Sequence, residues 1–204
     1  MCVLGGGEMK LDKCKLMLKE KMNTYAYISE ESWDKIQKIC TMKKVKKGET
    51  LLYLGDVSRE LFFICTGLLR TYFSDEEGNI YNKNLFLEND FSGSKVSLLL
   101  NTPSEFCIEA LEDTSVICIP YKEYRKLIDE NDDLKNFYIA YLEKNWVIEK
   151  ERIEVSLILE DGTQRYLSYL DKYPNIEERV AQHHIAAHLG ITPTQLSRIR
   201  KNLK

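Results

Sequence analysis

The 204-residue chain has no apolar run long enough to cross a bilayer. Its opening, MCVLGGGEMK, has no cationic stretch followed by the apolar one that directs secretion, so the cytoplasm is the expected location. Proline and glycine are scarce, at 4 and 10 residues, while 44% of the chain is hydrophobic and 30% charged. Low-complexity and disordered classes are thereby excluded. The length leaves room for one large domain or two small ones. Six cysteines, at 2, 14, 40, 65, 107 and 118, form no CxxC pair. That excludes zinc-ribbon and thioredoxin readings, and the scattered spacing does not suit an iron–sulfur cluster. Several cysteines lie in apolar stretches, LFFIC and VICI, where a thiol is expected to be a small buried hydrophobe.

Histidine is absent until residue 183. A cupin-like enzyme would need His and Glu close together among strands, and the strand-like region has no His. His184 and His188 stand four apart, but no third ligand accompanies them. Neither a Ser/His/Asp set nor a glycine-rich phosphate loop is present, so no catalytic residue is expected. The three histidines are expected at the surface and in helix packing near phosphate. Acid is also missing from one end. Between Arg179 and Lys204 there are five Lys/Arg, three His and no Asp or Glu, in a chain of net charge −3. Such asymmetry suits contact with a polyanion at that end.

The elements follow from pattern. Residues up to about 28 are Lys- and Met-rich and suggest no clear element. Ser29 can cap a helix bearing Trp33, Ile36, Ile39 and Cys40 at helical spacing. From Val45 to Ile119, short apolar or alternating runs are broken by turn residues, among them a hairpin turn at DEEGN. This predicts an antiparallel sandwich or roll. Pro120 opens a helix with Tyr121, Tyr124, Leu127 and Ile128 on one face. A second helix follows without Gly or Pro, its stripe formed by Leu134, Phe137, Tyr138, Tyr141, Leu142, Ile148 and Val155. It exceeds what one small roll can cover, so dimerisation through residues 131–158 is expected. EDGTQ, residues 160–164, reads as a hinge, with Gly162 breaking the helix and Asp161 or Thr163 capping the next. The expected architecture is α+β: a β-roll domain over 1–130, a long dimerisation helix over 131–160 and a helix-turn-helix domain over 163–204.

The last 23 residues carry the function. With Gly190 as the turn, Gln182 begins the first helix, and Ile185, Ala186 and Leu189 pack inward. Ile191 plugs the core beneath the turn. Thr192 is an N-cap, Pro193 the first helical residue and Gln195 the partner in a capping box. Leu196 and Ile199 face back to the core. The outward residues are Thr194, Gln195, Ser197, Arg198 and Lys201. Arg suits guanine, Gln adenine, and Thr a phosphate or a thymine methyl. Arg198 and Gln195 are the expected readers. Thr192 and Thr194 can meet phosphate at the helix N-terminus, while Arg200, Lys201 and Lys204 meet the backbone or solvent.

With KKGETLLYLGD, FFICTGLLR, a long helix and this C-terminal motif, the chain resembles the CRP/FNR superfamily of bacterial transcription regulators from about Ser29 onward. ENDF, EALED and GITPTQLSRIRK are similar to a branch of short regulators without known effectors. The resemblance implies a β-roll sensor, a homodimer, double-stranded DNA as partner and contact with RNA polymerase. Cyclic-nucleotide members hold phosphate with Arg and ribose with Glu. Here Ser94 replaces that Glu, and Glu105–Phe106 fall where Arg–Ser is expected. Repulsion of phosphate by that carboxylate makes cyclic AMP unexpected. Haem and an iron–sulfur cluster are likewise not expected, and no cofactor is predicted. The sequence ends soon after the second helix of the motif, so no β-wing is expected. Should the roll bind an effector, Tyr72, Ser92, Ser94 and Lys95 are the candidate polar lining. Two other classes stand beside the regulator: a non-transcriptional module whose roll senses a ligand or partner protein, and a cupin-like enzyme.

Overall fold

The computed structural model describes residues 8–74, 77 and 80–203. Cys2, most of the DEEGN turn and Lys204 lie outside them. Eight strands form the centre: β1 (Thr41–Val45), β2 (Thr50–Leu52), β3 (Glu60–Thr66), β4 (Leu69–Ser74), β5 (Ile80–Phe86), β6 (Phe91–Ser92), β7 (Cys107–Ala110) and β8 (Thr114–Pro120). They make two four-stranded sheets, ordered β1-β8-β3-β6 and β2-β7-β4-β5, with every pairing antiparallel. This is the expected roll. Strands β4 and β5, on either side of DEEGN, pair antiparallel as a hairpin there requires, with Ser74 opposite Ile80.

Strand β3 shows why the roll needs helices around it. Side chains alternate across a strand. Phe62 and Ile64 enter the core between the sheets with Val45, Leu69, Ile108 and Val116. Phe63 and Cys65 face the other way and would lie open to water if nothing covered them. They are covered by α1 (Glu8–Asn23), α2 (Glu30–Ile39), α4 (Tyr121–Glu130) and α5 (Asp132–Leu142). The first of these was not legible in the sequence: α1 buries Cys14, Leu18 and Met22, one face at four-residue spacing. Ser29 caps α2 as expected, accepting a hydrogen bond from the Ser32 N–H at 3.2 Å. Asp133 ties α2 to α5, accepting from Ser29 N at 2.9 Å and Ser32 Oγ at 2.7 Å. Cys14, Cys40, Cys65 and Cys118 are buried free thiols, and burial pushes Cys40 up to about 12.

The long helix is continuous from Asp132 to Leu159 but not uniform. Between α5 and α6 (Glu149–Leu159), residues Glu143–Ile148 form a π-helical segment, with the Glu149 N–H donating to Lys144 O. A wider turn moves the following residues around the axis relative to an uninterrupted α-helix. The expected single stripe is therefore split. Leu134 and Phe137 are buried against the chain's own roll, with Tyr138 and Tyr141 packed beside them. Ile148 and Val155 are exposed, and Val147, Ile153, Leu157, Ile158 and Leu159 join them at the surface.

The break before the C-terminal helices also differs in detail. Glu160 and Asp161 are extended, and Asp161 caps α7 (Gly162–Lys172) in a capping box with Gln164. Gly162 is the first residue of that helix and not the breaker. Its lack of a side chain serves packing, since a Cβ there would lie 3.0 Å from Ile191 Cγ2. A short α8 (Ile176–Arg179) follows, then α9 (Gln182–Leu189) and α10 (Pro193–Asn202).

Candidate nucleic-acid interface and roll cavity

Helices α9 and α10 form the motif position by position. Ile185, Ala186, Leu189 and Leu196 are buried, and Ile191 and Ile199 pack against the same core. Gly190 adopts φ +68°, the left-handed conformation that penalises a side chain. Thr192 Oγ1 accepts from Gln195 N at 3.1 Å, and Gln195 Oε1 accepts from Thr192 N at 2.8 Å. Thr194, Gln195, Ser197, Arg198 and Lys201 are all exposed.

Two members of the expected set have other engagements. Gln195 spends its carbonyl in the capping box, so bidentate pairing with adenine, which needs both amide groups, requires that cap to open. Arg200 is only partly exposed. Its Nε lies 2.7 Å from Glu177 Oε1, which also accepts from Tyr166 Oη at 2.5 Å. It braces α10 against α8 and α7 instead of meeting solvent. Arg165, which the sequence reading passed over, fixes the motif to the hinge by donating to Glu160 O at 2.5 Å and Leu189 O at 3.2 Å.

The histidines correct an expectation. Only His183 is exposed. His184 Nδ1 lies 3.1 Å from Arg70 Nη1, and its carbonyl accepts from Asn82 Nδ2 at 3.0 Å. Arginine can only donate, so this imidazole is neutral with its proton on Nε2. Burial, then the Arg70 charge, hold His184 down to about 4. His188 packs beside Tyr169, with ring centroids 5.2 Å apart, and burial also holds it at about 4. These two rings belong to packing, as part of that expectation had it, and not to the exposed surface. A third link is Arg179, which bridges Glu88 at 2.8 Å and Glu112 and donates to Gly67 O at 3.3 Å.

The roll holds a cavity of about 360 Å³ between β3–β5, α3 (Lys95–Leu100), α4 and the long helix. Ser94 and Lys95 line it as expected. Tyr72 and Ser92 do not. Strand alternation explains Tyr72, because its neighbour Thr71 faces the cavity and Tyr72 points away under the Arg70 guanidinium, 4.0 Å from its ring. Ser92 is fully buried between the cavity-lining Phe91 and Gly93. Glu105 is exposed and does not line the cavity, whereas Phe106 does. Polar positions missed by the sequence reading include Thr71, Lys83, Asn84 and Tyr141. Ser94 Oγ accepts from Ser104 Oγ at 2.8 Å. Lys95 Nζ donates to Tyr141 Oη at 3.0 Å and sits 4.5 Å from the Trp146 ring centre. Among the described residues no group of three His, Cys, Asp or Glu could hold a metal ion. No described helix is long and apolar enough to cross a membrane.

A double-sheeted roll, a long helix and a terminal helix-turn-helix make up the architecture. Residues 42–131 match the cyclic nucleotide-binding domain family. The cAMP-activated global transcriptional regulator CRP of Escherichia coli O157:H7 is 23% identical over 175 residues, 81% of this chain and 83% of that protein. FixK2 from Bradyrhizobium japonicum shares the fold at TM-score 0.64 and 18% identity, over 81% of this chain and 84% of that one. The c-di-GMP responsive global regulator CLP of Xanthomonas campestris shares it at TM-score 0.66 and 15% identity, over 86% and 91%. Over most of its length the chain is thus similar to transcription regulators of the CRP/FNR type.

Proposed function

We propose that the protein is a homodimeric, sequence-specific DNA-binding regulator that reads a two-fold symmetric operator with α10. The observation that carries this is the capped, acid-free α10 presenting Thr194, Ser197, Arg198 and Lys201 to solvent. A capped helix with such residues in its first turns fits the major groove. Dimerisation is supported by the exposed apolar face of α6, where Ile158 and Leu159 are 81% and 75% exposed. The operator's half-sites would then lie about 34 Å apart, one helical turn. By resemblance to its family, the protein works in the cytoplasm and contacts RNA polymerase. In this reading the chain divides into a roll domain with flanking helices over about 1–130, a dimerisation helix over 131–160 and a DNA-binding domain over 163–204, with the roll as the seat of any effector.

The test is fluorescence anisotropy on selected and scrambled duplexes at several salt concentrations. A lost arginine–guanine pair costs about 1–3 kcal/mol of discrimination. Arg198→Ala is expected to weaken the selected duplex far more than the scrambled one. Lys201→Ala is expected to weaken both alike and to flatten the salt dependence. Equal losses for Arg198→Ala remove it from the reading role. Light scattering on the same samples is expected to give twice the 23.9 kDa chain mass, and a monomer throughout the micromolar range refutes the dimer.

A further inference from the structure

We infer that the roll cavity binds a small amphipathic organic acid, with an apolar aromatic or branched body inside and its carboxylate on Lys95, beside Lys83. This rests on the reading of the roll as the sensing half of a regulator, and names the chemistry of its ligand. The walls come first. Leu61, Phe91, Leu98, Phe106, Phe137 and Trp146 line the space, and an apolar enclosure of this kind favours an apolar body. The size follows. At about 360 Å³ the space lies at the small end of ligand pockets. That suits a phenyl-alkyl or medium-chain acid.

The charge is the specific element. Lys95 is half-buried, and the partners of its ammonium are a phenol and an indole, neither bearing a negative charge. Lys83 lies 4.0 Å from the Phe106 ring centre on the same cavity. Burial and the neighbouring Lys83 hold Lys95 down to about 8, with Asp90 offsetting only part. Burial also lowers Lys83, with Glu105 acting against it and Lys150 with it. The nearby Lys83 charge adds to the cost of burying the Lys95 ammonium, and an anion seated on Lys95 relieves it. The π-helical segment of the long helix is what positions Trp146 over Lys95, and such segments concentrate at functional sites. A cyclic nucleotide fits less well. Its phosphate and ribose were to be held by an Arg and a Glu, and the lining has neither, its polar side chains being hydroxyls, the Asn84 amide and the two lysines.

The experiment uses the full-length protein without DNA. 4-Phenylbutyrate and its neutral isostere 4-phenylbutanamide are titrated in by calorimetry, with Trp146 fluorescence as the site reporter. One acid per chain is expected, bound about tenfold or more tighter than the amide, as a desolvated ion pair requires. The acid's advantage should fade as pH rises through about 8, where free Lys95 loses its proton. Lys95→Met is expected to erase the preference and Lys95→Arg to keep it, which separates lost charge from a damaged fold. Equal affinity for acid and amide, an undiminished preference in Lys95→Met, or no binding of either overturns the inference. Saturable cyclic AMP binding that displaces the acid would also overturn it. Operator binding is measured separately, so failure of either result leaves the other legible.

Discussion

The roll is gripped on two sides by different chemistry. Against α5 the contact is almost wholly apolar: Phe63, Phe91, Leu134 and Phe137 form one cluster, with Phe91 and Phe137 ring centres 6.5 Å apart. Against the C-terminal helices, Leu68, Leu85 and Leu111 meet Val180 and Ile185. That apolar centre is rimmed by Arg70, Asn82, His184, Glu88, Glu112 and Arg179. The first seam gains its stability from area removed from water, which neither salt nor pH changes much. The second depends on ion pairs and on a histidine kept neutral, and so responds to both.

The comparison breaks most readily at the apolar seam. Phe137→Ala removes a fully buried ring, and loss of transfer energy plus the cavity left behind is expected to cost about 3–5 kcal/mol in urea unfolding. A loss under about 1 kcal/mol would mean that α5 is not a fixed part of the roll. The polar seam is expected to yield less. Arg179→Met leaves Glu88 and Glu112 facing each other without their cation, at about 1–2 kcal/mol because all three side chains are partly exposed. Its clearer readout is proteolysis, with cleavage in residues 160–164 quickening while the roll stays resistant.

A separate test of the polar seam is the pH response. His184 and His188 are held at about 4 in the fold, whereas an unfolded histidine titrates near about 6.5. Between these values the unfolded chain binds more protons, so stability falls as pH drops through that window and levels off below it. His184→Gln is expected to flatten part of this slope in urea midpoints taken across the window. An unchanged slope would show that Arg70 and Asn82 do not keep this ring neutral.

The parts that could be read in the sequence are those with short-range causes. The capping box of Thr192 and Gln195, the turn at Gly190 and the Ser29 cap are each settled by residues within a few positions. The strands were equally legible from their period and turn signals. The first helix was not, because its buried Cys14, Leu18 and Met22 are scattered among lysines and its partner strands lie far along the chain. The cavity was half legible. Ser94 and Lys95 line it, but Tyr72 and Ser92 were assigned without knowing which side of the sheet each would take. Lys83, Phe106 and Trp146 come from three distant segments, and no local pattern joins them.

By itself, the sequence determined the type and order of most elements and the exposed face of α10, because propensity, capping and period act between near neighbours. Tertiary structure decided the rest. It committed Arg200 to Glu177, turned His184 and His188 inward and split the long helix's stripe at the π-helical segment. It also brought Lys83 and Lys95 to one apolar space. In each case the deciding energy is desolvation or charge pairing between residues far apart in the chain, which no local pattern encodes.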